Sequence, residues 1–187
     1  MIISEQEFLS FMDANQFAYQ RIEHPAVFTC DEADAHHSGI KAVSTKNLFL
    51  CDKKGRQFFL AVTGCEKTVN LEGLSSQLGV SRLRFGSEEN LMRLLGVTRG
   101  SVTMMGLAND AEHQVELWID AEIWRGEQFL SHPLVNTATL VLSSSCESNF
   151  DELRIGTSYH SVAPGVNSFT LTYTAGANGS VTGTSPQ

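Results

Sequence analysis

Residues 47–63 read NLFLCDKKGRQFFLAVT, and this stretch decides the fold of the chain. Two apolar runs lie on either side of the polar turn DKKG, residues 52–55. Apolar runs of this length bounded by turn residues are typical of β-strands. The stretch therefore predicts a β-hairpin, and Lys46 and Asn47 stand where the chain enters it.

Helices are predicted on both sides of this hairpin. Ser4 and Glu7 form a capping box ahead of an apolar face, which predicts a first helix that ends near Asn15. Residues 70–79 and 87–96 each begin with an N-capping side chain, carry leucines at helical spacing and end in glycine. Both segments are therefore predicted to be short helices.

The remaining elements follow no regular rhythm. Strands are predicted at residues 81–85, 101–105, 114–120 and 137–143, and a short helix is predicted over residues 120–129. Because strands and helices are interspersed without a repeated βαβα order, the pattern favours a mixed α+β fold over a doubly wound one.

The chain divides by composition into a domain and a tail. With 187 residues, 42% of them hydrophobic, it is long enough for one substantial core, which we expect over residues 1–155. Residues 156–187 are rich in Ser, Thr, Gly and Asn, and we expect them to be partly disordered. The alternation of Phe169, Leu171 and Tyr173 predicts an edge strand within this tail.

The charge balance limits the kind of partner. Thirteen Lys and Arg residues against 21 Asp and Glu give a formal net charge of −8, the opposite of a protein that grips long stretches of phosphate. Any nucleic-acid contact should therefore be local and sensitive to salt. Residues 1–17 show neither the basic region nor the unbroken apolar region typical of a leader, and no stretch reaches the roughly 20 apolar residues that span a bilayer, so we expect a cytoplasmic protein.

The four cysteines suggest no framework of their own. Cys30, Cys51, Cys65 and Cys146 are far apart and show no CxxC spacing. Their number is too low for a small disulfide-stapled domain. We therefore expect buried or half-buried thiols rather than redox or metal-binding groups.

Three polar clusters interrupt the apolar patterning, at residues 45–47, 100–106 and 131–139. Lys46 could pair with a phosphate or polarise a carbonyl, although a solvated lysine is the simpler interpretation of this residue alone. His132 could act as an acid, a base or a hydrogen-bonding group, or be a structural histidine. The glycines at residues 100–106 could bring backbone N–H groups close to a substrate, or could form an ordinary turn.

Other catalytic and metal-binding patterns are missing from the sequence. It contains no GxxxxGK, GxGxxG, GxSxG or HExxH motif. The segments 110–113 and 36–37 hold metal-type side chains without a second cluster at ligand spacing, so solvated loops are the better interpretation of both. We predict no metal and no cofactor.

Four segments together resemble the YbaK/prolyl-tRNA editing superfamily, in particular its free-standing ProX-type members. The segments are HPAVFT (24–29), STKNLFLCDKKGRQFFLAV (44–62), GVSRLRFGSEENLMRLLGVTRGSVTMMGLANDAEHQVELWID (79–120) and SHPLVNTATLVLS (131–143). Their order and spacing match the family over about residues 1–150. The resemblance implies a mixed, curved β-sheet flanked by helices, and a pocket for the aminoacylated 3′ end of tRNA.

The resemblance also implies an activity and its partners. The expected reaction is hydrolysis of the ester that joins an amino acid to mischarged tRNA, with Ala-tRNA(Pro) as the expected substrate. Prolyl-tRNA synthetase is a second expected partner, whereas neither a membrane nor DNA is expected. The reaction itself needs no protein nucleophile, because an ester is already activated and requires only positioned water and a stabilised oxyanion.

Site residues follow from the family's motifs. The catalytic positions fall on Lys46, Asn47 and His132. The substrate-binding positions fall on Thr45, Gly100, Ser101, Met104, Gly106, Asn109, Asn136 and Thr137. Met104 departs from the family, which usually has proline at that point of the glycine loop, so the shape of the pocket and its preferred amino acid are open.

Two other functions stay open at this point. One is a binding module associated with tRNA or a synthetase, although the presence of Lys46, Asn47 and His132 argues against it. The other is a hydrolase of small aminoacyl esters that needs no tRNA, which the net charge of −8 favours. The basic side chains that could contact tRNA are Lys41, Lys46, Lys53, Lys54 and Arg56, which could equally be a solvated hairpin face.

Overall fold

The computed structural model describes residues 2–143. The helices are α1 (Glu5–Ala14), α2 (Cys30–Asp34), α3 (Leu71–Gln77), α4 (Glu88–Leu95) and α5 (Ala121–Arg125), with a 3₁₀ helix at Met104–Asn109. The strands are β1 (Tyr19–Glu23), β2 (Thr45–Asp52), β3 (Phe58–Gly64), β4 (Leu83–Phe85), β5 (Val115–Ile119), β6 (Gln128–Ser131) and β7 (Ala138–Ser143). The domain boundary and the edge strand predicted in the tail lie outside the described residues.

The hairpin of β2 and β3 is confirmed. The two strands pair antiparallel from Thr45 opposite Gly64 to Cys51 opposite Phe58. At the turn, the Asp52 carboxylate accepts hydrogen bonds from three backbone N–H groups. Gly55 has a φ of +67°, a left-handed conformation that glycine adopts without strain.

The predicted mixed α+β fold is confirmed. One sheet has the order β4-β2-β3-β5, in which β3 and β5 run parallel and the other neighbours antiparallel. A three-stranded antiparallel sheet has the order β1-β7-β6. The two sheets meet where Val43, just before β2, bridges to Phe129 of β6. This junction brings the start of β2 beside the end of β6.

Burial on both faces explains the unbroken apolar run of β3. Phe58, Leu60 and Val62 point into the main core, which also receives side chains from α1, α4, β7 and the 3₁₀ helix. Phe59 and Ala61 point to the other face and pack in a second cluster with residues of α3, β4 and β5. A strand covered on both sides reads as continuous rather than alternating hydrophobicity.

The capped helices also agree with prediction. α1 has the capping box of Ser4 and Glu7, and it buries Phe8 and Met12. Asn70 and Ser87 cap α3 and α4, and Gly96 ends α4 in a left-handed conformation.

The strand predicted at residues 101–105 is wrong. The Thr103 hydroxyl accepts a hydrogen bond from the Met105 N–H and so caps the 3₁₀ helix that follows. Thr103, Met104 and Met105 are all buried, whereas a half-buried strand would alternate. Tertiary packing on both sides of the segment replaces the sheet pairing that the apolar run suggested.

Three elements were not predicted. β1 is half exposed, with the pattern of an edge strand that carries few apolar residues. α2 buries none of its residues, so it has no apolar periodicity to detect. β6 follows α5 within the segment that was predicted to be helical throughout.

None of the helices in residues 2–143 has the length and apolar character needed to cross a membrane.

Candidate active site

A cavity of about 190 Å³ opens at the junction of the two sheets. One wall is the segment from Val27 to His37, which includes α2. The opposite wall is residues 44–47 together with Cys65. Gly100 and Val102, residues 130–132 and Thr139 complete it. Parts of all three predicted polar clusters therefore line one space.

Lys46 lies near the start of β2, and its ammonium group is held by the loop after β3. Its Nζ donates to the carbonyl oxygen of Cys65 at 2.9 Å and also to that of Lys67. An ammonium group has three donors, so one is left for a ligand. The side chain is half-buried and lines the cavity.

Asn47 supplies a polar atom without a partner. Its Oδ1 is buried and makes no hydrogen bond to any described residue. A buried amide oxygen left unsatisfied costs free energy, and such groups are rare in folded proteins. Because Asn47 lines the cavity, a bound ligand can satisfy it.

His132 follows β6 and is oriented by the main chain. Its Nδ1 lies 2.9 Å from the Ala138 carbonyl oxygen, which fixes Nδ1 as the donor and leaves Nε2 as an acceptor in the neutral ring. Burial lowers the pKa of His132 below its usual 6.5, the Ala138 hydrogen bond opposes this, and the nearby His24 lowers it further. The ring is therefore neutral at physiological pH.

His132 belongs to a group of four histidines. The rings of His36, His37 and His132 have centroids 5.4, 5.7 and 6.1 Å from that of His24. His24 is buried and bonds the Thr139 hydroxyl at 2.9 Å through Nε2. Sequence reasoning missed His24, because the residue gives no signal apart from the HP dipeptide.

The interpretation of residues 36–37 as a solvated loop is wrong for His37. Only 7% of its surface is exposed, and both ring nitrogens lack hydrogen-bond partners among the described residues. Burial is the main cause of its lowered pKa, with the neighbouring histidines adding to it and Asp34 opposing it. His36, by contrast, is exposed.

The remaining predicted residues near the cavity shape its walls. The Thr45 hydroxyl donates to the Leu130 carbonyl at 2.6 Å, which ties β2 to β6. Gly100 has a φ of +86° and lies under the Phe28 ring, so close that a Cβ there would be 2.8 Å from it. Ser101, next to it, is buried and does not line the cavity.

Three predicted substrate-binding residues do not line the cavity. Met104 is 3% exposed and packs in the main hydrophobic cluster. Gly106 packs against the backbone of Leu95, and Asn109 bonds the Ile3 N–H and the Leu95 carbonyl. Met104, which stands where the family usually has proline, therefore affects core packing rather than the cavity wall.

Two more of the predicted substrate-binding residues, Asn136 and Thr137, make hydrogen bonds to Val27 and His24 and do not line the cavity. The Asn136 amide donates to the Val27 carbonyl at 3.0 Å and so fixes the segment that leads into α2. Thr137 is exposed, and its carbonyl accepts from the His24 N–H.

An ion-pair cluster beneath Lys46 was not predicted. Lys67 Nζ lies 2.8 Å from the Asp120 carboxylate and 2.5 Å from that of Glu122. Burial alone would lower the pKa of Lys67, but hydrogen bonds to Asp120 and Glu122 hold it above its usual value. The cluster fixes the residue whose carbonyl receives Lys46.

Two cysteines form a pair across the cavity, contrary to the expectation of four thiols. Cys30, the first residue of α2, is joined by a disulfide to Cys65, 35 residues later. Cys51 is a buried free thiol, and Cys146 lies outside the described residues. Sequence spacing could not reveal the pair, because only the fold brings α2 beside the end of β3.

The basic residues of the hairpin turn do not join Lys46. Lys53 and Lys54 are exposed at the far end of β2. At about 3.3 Å per residue, that is roughly 20 Å along the strand from Lys46. The proposed basic set is therefore divided between two ends of the sheet.

Several known proteins are similar to this chain in sequence. Residues 24–146 match the aminoacyl-tRNA editing domain. A prolyl-tRNA editing protein ProX from Acetoanaerobium sticklandii is 34% identical over 140 residues, which cover 75% of this chain and 85% of that protein. A prolyl-tRNA synthetase associated domain-containing protein 1 from Danio rerio is 40% identical over 121 residues, covering 64% of this chain and 65% of that protein.

The fold has solved counterparts as well. The structure of a candidate trans-editing enzyme for prolyl-tRNA synthetase superposes with a TM-score of 0.60 at 16% identity, covering 82% of this chain and 91% of that one. At this identity the likeness concerns the fold. The sequence match over residues 24–146, together with the ProX relative, shows that the chain belongs to the aminoacyl-tRNA editing domain family.

Proposed function

We propose that this chain is a trans-editing hydrolase that cleaves the ester between an amino acid and the 3′ end of a mischarged tRNA, with Ala-tRNA(Pro) as the preferred substrate. The observation that carries the proposal is that Lys46, Asn47 and His132 line one cavity at the junction of the sheets. Prolyl-tRNA synthetase, which would produce the mischarged tRNA, is the proposed partner.

The three side chains suit ester hydrolysis. The free donor of Lys46 can stabilise the negative charge that develops on the carbonyl oxygen, or bind the terminal phosphate. The His132 Nε2 can accept a proton from water or a ribose hydroxyl, and the Asn47 Oδ1 can accept a hydrogen bond from the amino group of the aminoacyl moiety. Water then attacks the carbonyl carbon, the ester C–O bond breaks, and the ribose hydroxyl leaves with a proton.

The size and lining of the cavity favour a small amino acid. Its volume of about 190 Å³ is below the range of roughly 300–1,000 Å³ typical of sites for drug-sized ligands. Val27, Val102 and Leu130 provide apolar contacts for a methyl side chain. Selection by size alone yields only about 1–3 kcal/mol per methylene group, so related small amino acids should react more slowly rather than be excluded.

A panel of charged tRNAs tests the proposal. Alanyl-, seryl-, cysteinyl- and prolyl-tRNA(Pro) are incubated with the protein, and the remaining ester is measured over time. Ala-tRNA(Pro) should be hydrolysed fastest, and the correctly charged Pro-tRNA(Pro) should persist. The proposal is wrong if none is hydrolysed above its spontaneous rate, or if prolyl-tRNA is hydrolysed as fast as alanyl-tRNA.

Hydrolysis of small aminoacyl esters without tRNA is a second candidate. The net charge of −8 favours it, as does the distance of the basic hairpin turn from Lys46. The two candidates differ in their dependence on the nucleic acid. If alanyl-adenosine and full Ala-tRNA(Pro) have equal kcat/KM, the tRNA body contributes nothing and the second candidate is correct.

A further inference from the structure

The Cys30–Cys65 disulfide joins two walls of the cavity. Cys30 begins α2, and Cys65 directly follows β3, with their Cα atoms 6.0 Å apart. Both residues line the cavity. The bond therefore borders the space in which the proposed chemistry takes place.

Cys65 is part of the structure that holds Lys46. Its carbonyl oxygen accepts the Lys46 ammonium at 2.9 Å, and its N–H donates to the Ser44 carbonyl at 2.9 Å. The Cys65 end of the disulfide is consequently fixed to the start of β2.

The Cys30 end belongs to an element with few other restraints. None of the residues of α2 is fully buried, so the helix contributes no side chain to the hydrophobic core. Besides the N-cap at Thr29, the Glu32 carboxylate accepts a hydrogen bond from the Phe28 N–H just ahead of the helix, and the Asp34 carboxylate accepts one from the Ser44 hydroxyl at 2.5 Å. The covalent bond to Cys65 is the strongest restraint on this wall.

Both sulfurs are placed for exchange with an external thiol. Cys30 and Cys65 are partly exposed and border an open cavity, whereas Cys51 is only 2% exposed in the core. Thiol–disulfide exchange requires that a thiolate reach one of the two sulfurs, so accessibility decides which bonds react.

We propose that Cys30 and Cys65 form a redox site that controls the shape of the cavity, with a dithiol as its reductant. One thiolate of the dithiol attacks a sulfur of the pair, which gives a mixed disulfide and releases the other cysteine. The second thiol of the dithiol then attacks the dithiol's own sulfur in the mixed disulfide and releases the first cysteine. Two electrons and two protons pass to the cysteines, and the dithiol leaves as a disulfide. The oxidised form fixes α2 against the Lys46 loop, and the reduced form releases it.

The effect on catalysis rests on the proposed deacylase function. Release of α2 frees Thr29, Ala33 and Asp34, which line the cavity, while Lys46 keeps its bond to the Lys67 carbonyl. Substrate binding should therefore weaken more than the chemical step. We expect KM for Ala-tRNA(Pro) to rise about fivefold or more on reduction, with a smaller change in kcat.

The first experiment measures the bond and the mobility of α2 without any substrate. The full chain is oxidised with oxidised glutathione or reduced with dithiothreitol, and peptide mass spectrometry after alkylation identifies linked cysteines. Amide hydrogen exchange of residues 30–37 should be faster in the reduced form, and α1 should exchange equally in both forms. Free thiols after oxidation, or identical exchange of residues 30–37, would overturn the proposal.

The second experiment measures catalysis. The double variant Cys30→Ser/Cys65→Ser should have the KM of the reduced wild type and should not respond to dithiothreitol. Cys146→Ser should respond as the wild type does, and reoxidation should restore the wild-type KM. Equal KM in both redox states would refute the catalytic effect. If no mischarged tRNA is hydrolysed in either state, the deacylase function fails, while hydrogen exchange still decides the redox site.

Discussion

Lys46 carries the positive charge of the site, and main-chain carbonyls rather than carboxylates hold it. No ion pair among residues 2–143 includes Lys46. A carboxylate partner would neutralise the ammonium group, whereas carbonyl dipoles orient it and leave its full charge available. From the sequence alone, Lys46 could be a solvated or a catalytic lysine. These two carbonyl contacts favour the catalytic role.

Replacing Lys46 should remove most of the activity. Lys46→Ala deletes the proposed oxyanion or phosphate contact, and kcat/KM for Ala-tRNA(Pro) should fall about 10²- to 10³-fold. Lys53→Ala, at an exposed position at the far end of β2, is the matched control and should stay near the wild type. A Lys46→Ala variant with full activity would rule out this assignment.

His132→Asn separates the two ring nitrogens. The Asn amide can still donate to the Ala138 carbonyl, as Nδ1 does, but it removes Nε2. The variant should fold normally and lose about 10²-fold or more in kcat. In the wild type, the lowered pKa of His132 places the acid limb of the kcat/KM profile below pH 6.5, because protonation abolishes the acceptor. An acid limb above that value would contradict this role.

His37 should make stability depend on pH. Its pKa is lower in the folded protein than the usual 6.5, so below that pH the unfolded chain binds more protons and stability falls. His37→Leu should flatten the loss of unfolding free energy between about pH 7.5 and about pH 5.5, measured by urea titration. His113→Asn, which changes an exposed histidine in a left-handed conformation, is the matched control, and an equal flattening in that variant would contradict the role of His37.

At the scale of elements, the site depends on pieces that sequence patterns do not reveal. The hairpin, α1, α3 and α4 have apolar periodicity or caps, and each was predicted. α2 and β6, which form much of the cavity wall, have neither strong periodicity nor an isolated apolar run. Their positions follow from the disulfide, the Val43–Phe129 bridge and the Thr45 hydrogen bond, all of which join residues distant in sequence.

The start of α5 supports the loop that holds Lys46. Asp120 caps this helix and pairs with Lys67 while only 2% exposed, so Asp120→Asn keeps the cap but removes the charge. We expect a loss of about 1–2 kcal/mol in unfolding free energy, together with lower activity because the Lys67 carbonyl is less well fixed.

Glu122→Gln is the control for this variant. Its carboxylate also contacts Lys67, but the side chain is 60% exposed, so the loss should be within about 1 kcal/mol. Denaturant unfolding and the deacylation rate measure both variants. A larger effect at Glu122 than at Asp120 would contradict the role of burial.

For the whole molecule, net charge and the placement of cations limit how tRNA can bind. The chain has a formal charge of −8, and the lysines of the hairpin turn lie at the far end of β2 from the cavity. Near the cavity, Lys67 is already paired with two carboxylates. Few cations are therefore available for phosphates close to the site.

The salt dependence of tRNA binding should be correspondingly shallow. Contact with about two or three phosphates of the single-stranded 3′ end gives a slope of roughly −1.5 to −2 in log K against log salt concentration. For an inactive Lys46→Ala variant, the slope should be closer to zero, whereas Lys53→Ala should not change it. A slope steeper than about −4 would show that a more extensive basic surface takes part.

The sequence by itself determined the hairpin, the capped helices, the mixed α+β class and the family, because these depend on local periodicity, caps and residue order. It also identified Lys46, Asn47 and His132 as candidates through the family's motifs. Only the tertiary structure placed these three on one cavity and left Met104, Gly106 and Asn109 out of its lining. It alone joined Cys30 to Cys65 and buried His37, because such contacts arise between segments that are remote along the chain and have no local signal.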